Sequence, residues 1–329
     1  MSLTVTLEEV KLFQEKLNKI RSEMSKIVVG QDKIINSLLR GLLCDGHILV
    51  EGVPGIAKTL VVRAFASVIG CTSKRIQFTA DLLPADITGI TAYNEKTKEF
   101  YTVKGPVFTN FLIADEINRA TPKVQSALLE AMQEKQVTIG RETFKLPLPF
   151  FVMANSNPLE SEGVYSLPEA QVDRFLFKVL MTYPSKEEEK EILKKNISIF
   201  KFEDFNLNPV LTPEEILNMQ KFVKSIYFSE KVEDYILHIV DSTRNPAKYK
   251  LNLGKFIEVG CSPRATISLY IAGKSEALIN GENFVTPQHI KNIASDVLRH
   301  RLILNYEGEA ENISKEDIIT EILTKVPVP

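Results

Sequence analysis

His47-Ile48-Leu49-Val50-Glu51-Gly52-Val53-Pro54-Gly55-Ile56-Ala57-Lys58-Thr59 is an apolar run that turns, through two glycines and a proline, into a lysine and a threonine. Its first five residues have the apolar continuity of a strand buried on both faces, and a helix begins near Lys58. A strand, a small-residue turn and a helix in that order make a phosphate cradle. Small residues let backbone N–H groups close around phosphate oxygens, and the helix N-terminus adds a favourable dipole. On this reading Gly52, Val53, Pro54, Gly55, Ile56, Ala57, Lys58, Thr59 and Leu60 contact a nucleotide. Lys58 reaches the β- and γ-phosphates of ATP, and the Thr59 hydroxyl ligates Mg2+. Ala57 stands where the strict pattern has glycine, and its Cβ crowds the loop if that position needs positive φ.

Further along, Phe111-Leu112-Ile113-Ala114-Asp115-Glu116 is a second apolar strand, ending in two acids. An acidic pair after a strand is commonly a helix cap. Downstream of a phosphate loop it gains a second meaning: Asp115 holds the Mg2+ shell, and Glu116 orients and activates the attacking water.

Around these two motifs the chain alternates. Residues 7–25 have the pattern of an amphipathic helix, and a loop at 27–30 leads to a second helix over 31–43. Strands are expected at 75–79, 110–115 and 150–154, with a helix at 121–134, so the sheet is mainly parallel and covered on both faces. Residues 92–103 and 136–146 interrupt the rhythm as two hairpins, the second turning at Gly140-Arg141. After Pro184 comes a highly charged helix over 185–196, then five helical segments with no convincing strand. Thr212-Pro213-Glu214-Glu215 and Thr286-Pro287 are helix starts, each with an N-cap threonine and a first-turn proline. The expected organisation is an α/β nucleotide-binding domain over 1–190 and a helical domain over 191–329.

The totals narrow the class. The chain has 329 residues, 44% of them hydrophobic and 25% charged, with a formal net charge of -2. That is ordinary globular composition, with no global basic excess to argue for nucleic acid. Cys44, Cys71 and Cys261 form no CxxC pair, which fits a reducing compartment better than a disulfide framework. No apolar run approaches the ~20 residues of a membrane span, and residues 1–9 lack the order of a signal peptide, so a cytoplasmic protein is expected.

Three longer stretches carry a resemblance. Ala114-Asp115-Glu116-Ile117-Asn118-Arg119-Ala120 is followed by Gln125-Ser126-Ala127-Leu128-Leu129-Glu130-Ala131-Met132. Asn157-Pro158 and Glu162-Gly163 then precede Leu167-Pro168-Glu169-Ala170-Gln171-Val172-Asp173-Arg174-Phe175. Together with a phosphate loop in which alanine before the lysine is usual, these resemble the MoxR group of AAA+ ATPases over roughly residues 25–300. The resemblance implies a P-loop αβα domain with two β-hairpin insertions, an all-helical lid, and assembly of the homo-oligomer into a ring, most often a hexamer.

It also implies site residues. Asn157 matches sensor 1, a polar group near the γ-phosphate, with Asn155 a competing candidate and an ordinary turn asparagine a third reading. Arg174 matches the arginine finger that reaches a neighbouring subunit, against an intrachain pair with Asp173 or Glu169. Arg264, in the first turn of a lid helix, matches sensor 2, against a solvated surface arginine. Val29 and Gln31 flank the adenine. The function implied is ATP hydrolysis by a chaperone-like remodeller in maturation or cofactor insertion, with a protein client and a partner bearing a von Willebrand factor A domain. The alternatives are a magnesium-chelatase-like motor subunit, a nucleotide-gated scaffold with little turnover, and a DNA-working ATPase, for which no dedicated binding segment is present.

Overall fold

The computed structural model describes residues 5–52, 58–156, 165–195 and 201–329. The apolar runs become strands: β1 (Ile48–Gly52), β2 (Ser73–Gln77), β5 (Phe111–Asp115) and β8 (Phe151–Ser156), joined by β9 (Phe177–Met181). They form one five-stranded sheet in the order β2-β5-β8-β1-β9. The β2/β5, β5/β8 and β8/β1 pairs are parallel. Every residue of β5 is buried, as a central parallel strand requires. β2 lies at the edge, and four of its five residues are exposed.

Helices between strands supply the covering layers. α1 (Leu7–Met24) and α2 (Asp32–Leu43) precede the sheet, α3 (Lys58–Val68) follows β1, and α5 (Pro122–Glu134) follows β5. Short α4 (Pro84–Thr88) leads into the antiparallel hairpin β3 (Gly89–Asn94)/β4 (Glu99–Lys104). A second antiparallel hairpin, β6 (Gln136–Ile139)/β7 (Glu142–Lys145), follows α5. Leu112, Ala114, Ile117, Leu128, Leu129, Val152 and Phe175 share one core cluster, so the strand ends and α5 are fixed by common packing.

His47 locks the start of β1. Its Nε2–H donates to the Met132 carbonyl at 3.0 Å, and its Nδ1 accepts from the Val152 N–H at 3.0 Å. Both bonds need the neutral ring, and burial pushes its pKa down to about 4.

The chain divides into two compact units: Lys16–Phe175 with Val179–Asn218, and Met1–Glu15 with Leu176–Lys178 and Met219–Pro329. Short α6 (Glu169–Val172) and α7 (Lys186–Lys195) belong to the first. Residues 201–218, which read in sequence as part of the lid, also pack there. The Val210 N–H donates to the Val68 carbonyl at 2.7 Å, and Gly70 (φ +63) leaves no room for a Cβ beneath the Leu211 carbonyl.

The second unit is helical: α8 (Pro213–Lys224) ends in it, followed by α9 (Glu230–Arg244), α10 (Pro263–Asn280), α11 (Pro287–Leu298), α12 (Tyr306–Ala310) and α13 (Lys315–Lys325). It also holds a short antiparallel pair, β10 (Ile257–Val259) with β11 (Ile303–Leu304). Two- and three-residue strands leave no periodic signal, and the sequence reading passed over them. Thr286 caps α11 as read, accepting from the His289 N–H at 3.4 Å. Among the described residues no helix is long and apolar enough to cross a membrane.

Candidate functional site

The site is built at the C-terminal ends of β1, β5 and β8. Parallel pairing sets Arg75 opposite Ile113 and Gln77 opposite Asp115, while Ile113 stands opposite Met153. Because side chains alternate along a strand, Arg75, Gln77, Asp115 and Asn155 all project from one face of the sheet. α3 packs against β2 and β5 and brings Thr59 to the same place. The Thr59 Oγ1–H donates to Asp115 Oδ2 at 3.3 Å. The other oxygen of Asp115, Oδ1, accepts from Asn155 Nδ2. Asp115 is 3% exposed, and a buried carboxylate needs such partners.

Glu116, one residue on, has φ 57 and ψ 50. The left-handed region costs a non-glycine residue about 1–2 kcal/mol. The turn is held by Asn155, whose Oδ1 accepts the Glu116 N–H at 2.8 Å. It takes the Glu116 side chain off the buried face, where Oε2 accepts from Gln77 Nε2 at 2.5 Å and lies 3.2 Å from Arg119 Nε. Arg75 completes the group. Its Nε donates to Asp115 Oδ2 and its Nη2 donates to Gln77 Oε1 at 3.0 Å. A continuous chain of contacts therefore joins Thr59, Asp115, Arg75, Gln77 and Glu116.

The remaining residues fall as follows. Lys58 opens α3, and its Nζ donates to the Gly52 carbonyl at 2.5 Å. Leu60 is half-buried in the same turn. Val53, Pro54, Gly55, Ile56, Ala57 and Asn157 lie outside the described residues. Val29 is buried beside Gly30, whose φ of +67 and closeness to the Glu188 carboxylate admit no Cβ. Gln31 stands at the N-cap of α2. Arg174, just past α6, is exposed, and among the described residues its guanidinium makes no ion pair. Arg264 is exposed in the first turn of α10, its N–H donating to the Ser262 Oγ cap at 3.2 Å, and belongs to the other unit.

Three residues of the site were missed in sequence. Arg75 and Gln77 are a period-two pair on an edge strand, and only the parallel register reveals that they face Asp115. Gln125, fully buried, points the two hydrogens of Nε2 at three carbonyls, Ile117 (3.2 Å), Ala120 (3.1 Å) and Tyr165 (3.0 Å), so that one hydrogen is shared. It ties the turn after Glu116 to Tyr165. A glutamine on the apolar stripe of α5 was the available signal.

The donor set fits a nucleotide with a hard divalent cation. Thr59 Oγ1 and Asp115 Oδ2 are both oxygens, and neighbouring ligands of an octahedral Mg2+ with bonds of ~2.1 Å stand ~3 Å apart. Their 3.3 Å separation suits one ion, held directly or through a shell water. A cavity of about 650 Å³ lies elsewhere, between the two hairpins, lined by Thr91, Phe100, Tyr101, Ile139, Arg141 and Glu142.

Residues 47–177 match the family model described as ATPase family associated with various cellular activities (AAA), and residues 253–322 match the AAA lid domain. Chaperone MoxR1 of Mycobacterium tuberculosis is 47% identical over 313 residues, covering 93% of this chain and 81% of that protein. The uncharacterised protein YeaC of Bacillus subtilis is 44% identical, covering 95% of each. A crystal structure of a candidate ATPase from Cytophaga hutchinsonii superposes with a TM-score of 0.92 at 46% identity, over 98% of this chain and 97% of that one. The strand order, the acidic pair at the end of β5 and these likenesses agree: the chain belongs to the MoxR family of AAA+ ATPases.

Proposed function

We propose that this protein binds ATP with Mg2+ and hydrolyses its β–γ phosphate bond at a site shared between two subunits of a ring. The observation that carries the reading is the convergence of Thr59, Asp115 and Glu116 beside the helix that opens at Lys58. Residues 52–60 wrap the phosphates, and Lys58 moves from the Gly52 carbonyl to the β- and γ-phosphate oxygens. Thr59 and Asp115 hold the cation shell. A Mg2+ ion held by these two residues would supply positive charge against the phosphate oxygens. Glu116 accepts a proton from the attacking water and aligns it with the γ-phosphorus. Asn157 touches that water, while Asn155 fixes Asp115 and Glu116 from below. Val29 and Gln31 border the adenine.

Arg174 acts in trans. Its exposure and the absence of an ion pair among the described residues support a guanidinium held for a neighbour's phosphates, as an arginine finger is. Arg264 acts as the lid's contact with bound phosphates, the role of sensor 2. The ring, a hexamer, couples turnover to remodelling of a client protein during maturation or cofactor insertion. A von Willebrand factor A domain protein serves as adaptor. The name of the Mycobacterium tuberculosis relative supports the chaperone half of this reading. The two hairpins, with Phe100 74% exposed, are the surfaces offered for client or adaptor contact.

Two substitutions separate binding from chemistry. Lys58→Ala abolishes nucleotide binding in calorimetry, and an unchanged ATP affinity would remove the phosphate-loop assignment. Glu116→Gln keeps ATP bound while phosphate release falls by about 10²–10⁴-fold.

A further inference from the structure

We propose that Arg75 is the resident counter-ion of Asp115 in the metal-free protein, and that a divalent cation arriving at Asp115 and Thr59 displaces it. The inference rests on the assignment of these two residues to the cation shell. Asp115 Oδ1 already accepts from Asn155 Nδ2, while Oδ2 is the oxygen on the Thr59 side, so a metal held by both residues approaches through Oδ2. That oxygen already faces Thr59 Oγ1 and accepts from Arg75 Nε. A guanidinium seated on Oδ2 stands where a divalent ion held with Thr59, or its shell water, would have to stand, and two cations that close repel each other. The two therefore compete for the same side of Asp115.

Exposure decides which partner leaves. The Asp115 side chain is 4% exposed, and the Arg75 side chain is 52% exposed on the edge strand. An unpaired carboxylate at that depth is costly, whereas a guanidinium half in water already can swing outward with little loss. Arg75 thus stabilises the empty site and adds nothing to the loaded one. Its departure also removes the Nη2 hydrogen bond that orients the Gln77 amide toward Glu116, so the change at Asp115 is felt one residue along. Arg75 is a positioning residue: it acts through Asp115 and Gln77.

The test is a double-mutant cycle over Arg75→Gln and Asp115→Asn, with the thermal midpoint read in AMP-PNP plus EDTA and in AMP-PNP plus Mg2+. In EDTA, Arg75→Gln lowers the midpoint by about 2–4 °C, and only while residue 115 is a carboxylate. With Mg2+ that loss disappears. Titration with Mn2+, followed by its electron paramagnetic resonance signal in AMP-PNP, gives about tenfold tighter binding in Arg75→Gln. A charge-assisted hydrogen bond is large enough to account for that factor. Arg75→Lys, which keeps the charge, stays near wild type. An equal loss with and without Mg2+ would make Arg75 a permanent structural partner and overturn the displacement, as would an unchanged Mn2+ affinity. Mn2+ binding indifferent to Asp115→Asn would overturn the metal assignment itself, and the displacement with it.

Discussion

Glu116 sits in a left-handed backbone conformation that a glutamate adopts at a cost, and the residue that holds it there is Asn155. One amide group does two things: its oxygen accepts the Glu116 N–H, and its nitrogen donates to Asp115. Truncating it leaves a buried carboxylate short of a donor and frees a strained turn, worth about 1–3 kcal/mol for each group left unsatisfied. Asn155→Ala is therefore expected to keep nucleotide affinity close to wild type while turnover falls by about 10²-fold, a loss of alignment rather than of binding. Calorimetry beside a phosphate-release assay checks this, and an unimpaired turnover would mean that the turn holds itself. The convergence of Thr59, Asp115 and Glu116 beside Lys58 was legible in sequence because each lies inside a short local motif with its own chemical logic. Arg75, Gln77 and the double role of Asn155 were not. They depend on which strands lie side by side, and parallel neighbours are far apart in the chain.

Elements were legible where periodicity and caps agreed. α1, read over residues 7–25, runs from Leu7 to Met24, and α5, read over 121–134, runs from Pro122 to Glu134. The hairpin read over 136–146 pairs Gln136 with Lys145, and its turn includes Gly140, whose φ of +63 suits glycine. β9 was missed because Phe177-Lys178-Val179-Leu180-Met181 is short, carries a lysine and lacks turn residues to mark it. β2 begins at Ser73, two residues before the stretch read as strand, because its exposed polar residues hide its start.

The buried link between β1, β8 and α5 has a pH signature. His47 is neutral when folded, with its pKa pushed down to about 4, against an ordinary unfolded value near 6.5. Between these values the unfolded chain binds the extra proton. The stabilisation is thus complete above pH 6.5 and is lost as pH falls toward 4, by about 3 kcal/mol in total. Urea denaturation of wild type and His47→Gln from pH 7.5 to 4 should show a stability difference that shrinks with acid. A difference constant with pH would mean that the ring is protonated without cost.

At the scale of the whole molecule, a fold and a set of strand ends do not make a complete active site. The first unit brings Thr59, Asp115 and Glu116 together beside the helix that opens at Lys58, while Arg174 stands exposed past α6 with no ion pair among the described residues. A chain of net charge -2 gives no support to nucleic acid as the thing worked upon. Under the proposed function, hydrolysis belongs to an assembly and Arg174 is what a neighbour contributes. The most direct measurement is specific ATPase activity against protein concentration, with Mg2+ present, for wild type and Arg174→Ala. Shared sites give a wild-type rate per subunit that climbs with concentration and then levels, with Arg174→Ala flat and lower by about 10³-fold or more although it binds ATP normally. A rate independent of concentration, or unchanged by loss of Arg174, would contradict shared sites and leave a P-loop ATPase that works alone.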